Sequence, residues 1–213
     1  MVKIKKKISL FIPTLEGAGA EKIVLTLANS FVSKGYHVDL IVTKFKGAFC
    51  EQVDSSINVI NLNCRRVIFS LFPLINYLKS NKPDILLASL THVNIVSIIA
   101  GLLSRAKTKV IVIEHSLKTK LFKNLNLKNR MVDLFMLFTY SKAYRVVAVS
   151  KEVAKNISVR SGIELSKIYI INNPIYSNSI ILKSKENLNH PWFLKNQPPV
   201  ILSVGRLTEE KNF

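Results

Sequence analysis

What most constrains this chain is a repeated alternation. Short, near-continuous Val/Ile/Leu runs are followed by segments with apolar residues at helical spacing, again and again. KISLFIP at 7–13 is one such run, and AEKIVLTLANSFVSKG follows with Ile23, Val24, Leu27, Ala28 and Phe31 on one face and Gly35 as a stop signal. HVDLIVT (37–43), INVINL (57–62), DILLAS (84–89), KVIVIEH (109–115), YRVVAVS (144–150) and KIYIINNP (167–174) read as further strands. Helical spacing is predicted over 67–80, 92–104, 121–141 and 151–160. Strands that are apolar on both faces and separated by helices belong to a parallel sheet covered on both sides, a doubly wound α/β domain.

The periodicity dissolves between 175 and 198, where polar residues, prolines and mixed charge predict a linker. PVILSVG (199–205) then reads as the first strand of a second α/β unit. The expected organisation is an N-terminal Rossmann-like domain over 1–174, an interdomain linker over 175–198, and the start of a C-terminal domain over 199–213.

Across 213 residues, 48% are apolar, enough for a sizeable core and against disorder. Thirty-one Lys and Arg against 13 Asp and Glu give a formal net charge of +18. Such a chain attracts anions: phosphorylated small molecules, nucleic acid or anionic headgroups. Cys50 and Cys64 form neither a metal spacing nor a disulfide framework, which points to a reducing, cytoplasmic setting. No apolar stretch approaches the ~20 residues that span a bilayer. The basic start and short apolar run of MVKIKKKISLFIPTLEGAGAE resemble a leader, but Pro13 breaks the run and Glu16 precedes the small residues, so cleavage is not expected.

In an open α/β sheet, ligands bind beyond the carboxyl ends of the strands. After the first strand, Gly17 and Gly19 precede a helix, where free N–H groups suit a phosphate or a sugar hydroxyl; a plain tight turn is the other reading. A dinucleotide fingerprint fails, because Lys22 stands where a third glycine is required and Thr43 where an acid is required. His92 and His115 follow the fourth and fifth strands and open onto the crevice, where an imidazole serves either packing or chemistry. His37 lies at the opposite strand end, and His190 in the linker has no assigned role. There is no G-x-S-x-G elbow, no phosphate-binding P-loop and no clustered metal-ligand set, so no metal is expected.

HSLKTKLFKNLNLKNRMVDLFMLFTY carries Lys118, Lys120, Lys123, Lys128 and Arg130 without an acid among them, with large apolar residues between and after. It reads either as a surface for an anionic membrane or as a core helix behind a solvated loop. Nucleic acid is not expected: only Phe122 is available for stacking among these cations, and no nucleic-acid motif is present.

EGAGAEKIVLTLANSFVSKGYHVDLIVT, IVIEHS, YRVVAVSKEVAKNI, IYIINNPI and ILSVGRLTEEKNF, in that order, resemble the retaining glycosyltransferases of family 4, which have the two-domain GT-B fold. The resemblance covers essentially the whole chain. It implies transfer of a sugar from a nucleotide diphosphate sugar to a glycan or lipid-linked acceptor, without a metal or other cofactor, at the cytoplasmic membrane face. Gly17, Gly19 and Glu21 match the family's glycine-rich loop near the donor phosphate and acceptor, and His115 the histidine near the transferred sugar. Ser150 matches the serine ending its strand, and Asn173 the asparagine opening the interdomain crossing. Arg206 and Lys211 match the pair gripping the donor diphosphate, whose growing negative charge such cations stabilise. The family's paired glutamates lie beyond residue 213, so this chain by itself is expected to be incomplete and poorly active. The alternative is a non-catalytic fragment that binds an acceptor or a membrane.

Overall fold

Alternate residues of the strands go to opposite faces, and this parity builds two cores. Phe11, Ile41, Leu86, Ala88, Val112 and Ala148 face one way; Leu10, Ile12, Leu40 and Val42 face the other. The computed structural model describes residues 6–117, 127–175, 178–194 and 196–205. They fall into two compact units, divided between Ile175 and Tyr176.

The first unit is a parallel sheet of seven strands: β1 (Lys7–Ile12), β2 (His37–Val42), β3 (Asn58–Asn61), β4 (Ile85–Ser89), β5 (Lys109–Glu114), β6 (Arg145–Ala148) and β7 (Ile168–Ile170). The spatial order is β3-β2-β1-β4-β5-β6-β7. Leu10 pairs with Leu40 on one side and with Leu87 on the other. Strand order therefore reverses between β1 and β4, which makes the gap above their carboxyl ends the switch point where such sheets hold ligands.

The helices are α1 (Gly19–Ser33), α2 (Leu71–Asn81), α3 (Thr91–Ser104), α4 (Leu127–Thr139) and α5 (Lys151–Ser161). Leu74, Leu78, Val93, Met136, Ala154 and Ile157 of α2 to α5 pack on one face of the sheet; Val24 and Ala28 of α1 pack on the other. Among the described residues of the first unit, α1 is the helix on that second face, and Tyr169 and Ile171 remain about half exposed there.

Two buried polar links tie the layers. Asp39 accepts from the Tyr77 hydroxyl and from Asn58, and pairs with Lys7 Nζ at 2.9 Å. Between α4 and α5, Arg160 Nε and Nη2 meet Asp133 Oδ1 at 2.9 and 2.5 Å, with both side chains almost wholly buried.

Several boundaries differ from expectation. The helix predicted from 67 begins as a 3-10 turn over Val67–Ser70, and α2 starts at Leu71 with Pro73 in its first turn, where a missing N–H costs nothing. The strands expected at 144–150 and 167–174 shorten to β6 and β7, because ladder pairing ends before the apolar pattern does. In the second unit, the stretch read as linker contains α6 (Asn178–Ser184) and a 3-10 turn at Pro191–Phe193. The strand expected at 199–205 is not formed. A strand needs a ladder partner, and those residues have none, with Ile201 97% exposed and Val204 86% exposed.

Candidate functional site

Three connections rise from the carboxyl edge around the switch point. The first, 13–18, is stapled to the connection after β2. Leu15 N–H donates to Lys46 O at 3.0 Å, Thr43 N–H and Oγ1 both donate to Pro13 O, and Phe49 N–H donates to Leu15 O. Gly47 makes this possible. Its φ of +120° is a glycine conformation, and a Cβ there would lie 2.2 Å from Leu15 O.

Glu21 closes the same loop from inside. Its carboxylate accepts from Gly17 N–H at 2.7 Å, from Ala18 N–H at 3.0 Å and from Thr14 Oγ1 at 3.0 Å. As the third residue of α1 it answers the helix's free N–H groups and positive end. The Gly17 and Ala18 donors are thereby turned toward Glu21 rather than a ligand, and Glu21 itself is buried. Glu16, Gly17, Ala18 and Gly19 are exposed at the tip of the loop.

The second connection is Leu90, between β4 and α3. It holds φ +86° and ψ 135°, a backbone region costly for any residue with a side chain. Such a turn persists where neighbours fix both sides of it. Here Thr91 Oγ1 donates to Glu114 Oε2 at 3.0 Å, and Asn94 Nδ2 donates to Glu114 Oε1 at 3.1 Å and to Ile113 O at 3.0 Å. The Tyr140 hydroxyl also donates to Glu114 Oε1. Burial pushes the Glu114 carboxyl above its ordinary value, against these donors.

The third connection begins at His115. Both of its ring nitrogens are buried without a well-aligned hydrogen bond. Burial lowers its pKa; the nearby Asn173 side chain favours the protonated ring but is outweighed. His115 therefore presents a neutral imidazole at physiological pH.

His92, Glu114 and His115 come together in one cavity of about 620 Å3, with Arg66, Leu90, Thr91 and Val132 also in its walls. A second cavity, of about 280 Å3, joins His115 to Asn173 across the open face of the sheet. Ser150 follows β6 on the same carboxyl edge, where Val149 N–H donates to Glu114 O at 3.3 Å; its own Oγ accepts from Val153 N–H at 3.2 Å and caps α5. Arg206, Lys211, Lys118, Lys120 and Lys123 lie outside the described residues, as does the side chain of Lys128. Arg130 is exposed on α4. Among the described residues no group of three His, Cys, Asp or Glu is placed to hold a metal ion, and no helix is long and apolar enough to cross a membrane.

Sequence reasoning passed over Glu114, Asn94, Tyr140 and Arg66. One signal was there: Glu114 directly follows the apolar run VIVI of the strand KVIVIE, and a buried acid at a strand's carboxyl end demands partners.

Comparison with known proteins gives concordant matches. The model of Glycosyltransferase Family 4 matches residues 17–178. The amylovoran biosynthesis glycosyltransferase AmsD of Erwinia amylovora is 25% identical over 198 residues, 92% of this chain and 52% of AmsD. The apo form of the lipopolysaccharide outer core galactosyltransferase WaaB shares the fold at a TM-score of 0.58 and 16% identity, over 79% of this chain and 46% of that one. Anabaena HepE in complex with UDP does so at a TM-score of 0.56 and 15% identity, over 84% of this chain and 49% of that one. The chain spans about half the length of the relatives it matches.

Proposed function

The chain belongs to glycosyltransferase family 4, and we propose that it supplies the acceptor-side half of an enzyme that moves a sugar from a nucleotide diphosphate sugar to a lipid-linked or polysaccharide acceptor, with retention of configuration, in cell-surface glycan assembly. The observation that carries this reading is the placing of a neutral His115, its ring nitrogens without a well-aligned hydrogen bond, in a roomy cavity at the carboxyl edge of the sheet. The names of the relatives agree with it: AmsD acts in amylovoran biosynthesis, WaaB is a galactosyltransferase of the lipopolysaccharide outer core, and HepE was solved with UDP.

In this mechanism a nucleotide diphosphate departs as the bond to the anomeric carbon breaks, and negative charge grows on its phosphate. Arg206 and Lys211 are proposed to meet that charge without a metal, each through charge-assisted hydrogen bonds of roughly 1.5–3 kcal/mol. The stapled loop at 13–18 bounds the crevice, and His115 contacts the transferred sugar with a ring that does not compete as a cation. The proposed setting is cytoplasmic, at the inner face of the membrane.

The test is direct. The chain, alone and completed to the length of its relatives, is incubated with UDP- and GDP-sugars and with lipid and oligosaccharide acceptors. Turnover by the completed form is expected, with the anomeric configuration of the product matching the donor. Absence of transfer from every donor would overturn the proposal.

A second reading is favoured by one surface. Leu127, Met131, Leu134, Phe135 and Phe138 are exposed on α4 beside Arg130. An amphipathic face of this kind adsorbs to anionic bilayers. Flotation of the 213-residue chain with anionic vesicles, without sugar transfer, would make it a membrane- or acceptor-binding module.

A further inference from the structure

The cavity around His115 has a sign and a texture. Its one carboxyl, Glu114, has both oxygens engaged by Thr91, Asn94 and Tyr140. Burial drives that carboxyl toward its neutral form, so it repels an anion little. Arg66 stands in the wall, exposed, and forms no ion pair among the described residues. The polar groups facing the space are thus a guanidinium, two imidazoles and the Thr91 and Ser116 side chains. The other walls are Val67, Ile68, Leu90 and Val132. Next along the chain after Ile68, Phe69 of the 3-10 turn and Phe72 of α2 are 61% and 74% exposed.

We propose that this cavity binds an amphiphilic phosphate, with the phosphate held by Arg66 and the apolar portion running over Val67, Ile68 and the exposed Phe69 and Phe72. The proposal rests on the transferase reading above and specifies its acceptor as a molecule that carries phosphate on a hydrocarbon chain. A guanidinium suits that group, because its fork of N–H donors matches two phosphate oxygens. A neutral glycan would use neither the Arg66 charge in the cavity wall nor the exposed Phe69 and Phe72.

The sequence itself supplies a matched control. Arg65 is adjacent, exposed and equally charged, but does not line the cavity. The 213-residue chain is titrated calorimetrically with geranyl phosphate, geraniol and inorganic phosphate. Geranyl phosphate should bind best. Inorganic phosphate should bind more weakly with the same dependence on Arg66, and geraniol weakest. Arg66→Ala should weaken geranyl phosphate about tenfold or more, while Arg65→Ala leaves it nearly unchanged. Arg66→Gln keeps the aliphatic stem and should show the same loss; near-parental binding by the Gln variant would assign the alanine loss to the turn and overturn the phosphate contact. Equal losses at Arg65 and Arg66 would show attraction by overall charge and overturn the site. Equal binding of geraniol and geranyl phosphate would overturn the phosphate assignment, and inorganic phosphate binding as tightly as geranyl phosphate would overturn the apolar half. Binding is measured without turnover, so failure here leaves the transferase reading standing, and failure of sugar transfer leaves a positive binding result standing.

Discussion

Thr91 Oγ1 donates to Glu114 Oε2 across 3.0 Å, so the first residue of α3 is tied to the last residue of β5. Between β4 and that contact lies Leu90, held at a positive φ. The bond keeps a strained turn at the mouth of the cavity, and Glu114 also gathers Asn94 and Tyr140. Glu114→Ala would strand buried donors of Thr91, Asn94 and Tyr140, at about 1–3 kcal/mol for each group left unpaired. A fall in chemical-denaturation midpoint of that order, with an unchanged m-value, is the expected result.

Glu114 also gives a pH signature. Its pKa is raised in the folded chain by burial, so the folded state holds the proton more tightly than the unfolded one. Its contribution is fully present below the ordinary carboxylate value and declines as pH rises through the folded value. Glu114→Gln keeps the shape and cannot titrate. Melting temperature of the Gln variant relative to the parent should therefore rise as pH increases above the ordinary carboxylate value. A flat difference would show that Glu114 is an ordinary carboxylate.

For His115 the sign is reversed. Its pKa is lowered by burial, so the unfolded chain takes up the proton first and stability is lost as pH falls below the ordinary imidazole value. Proton NMR of the ring should show titration below the free-histidine range, and Asn173→Ala should lower it further by removing the group that favours the charged ring. In the completed enzyme, His115→Ala should slow transfer about 10²-fold or more, the scale of a positioned imidazole.

The Arg160–Asp133 pair predicts a large local effect. With both side chains buried and bonded, removing one leaves the other charged and unpaired. Arg160→Ala or Asp133→Ala should each cost about 3–5 kcal/mol, whereas replacing both with apolar residues should recover much of that. A double-mutant cycle checks it.

Gly47→Ala tests the loop staple. The added methyl meets Leu15 O at 2.2 Å, so either connection has to move. Amide hydrogen exchange at Leu15 and Phe49, whose N–H groups bond across the staple, should rise strongly, while amides of β5 and β6 keep their protection.

The sheet was legible because its strands are buried, and burial on both faces writes itself as unbroken Val, Ile and Leu. Strand order was not, since nothing local distinguishes β1 beside β4 from β1 beside β3. The histidines of the crevice could be found from their place just after a strand. Glu21 was legible as a loop residue but not as the group that occupies the loop's own donors. That depends on a side chain turning back onto Gly17 and Ala18, which spacing alone does not fix. The Glu114 cluster draws on β5, α3 and the turn after α4, so no single window of sequence contains it. The failed strand at 199–205 carries a complementary lesson: composition can make a segment eager for a sheet, and only a neighbour makes it a strand.

Among the described residues of the first unit, the face beside α1 runs out to the half-exposed Tyr169 and Ile171, and an apolar patch of this kind favours association between copies. The guanidinium carbon of Arg145 lies 5.2 Å from the centre of the Tyr169 ring and 4.6 Å from that of Tyr144. Part of the positive excess that first suggested an attraction for anions is thus spread over greasy rings. There, like charges on two copies repel, which opposes association through the Tyr169 and Ile171 surface.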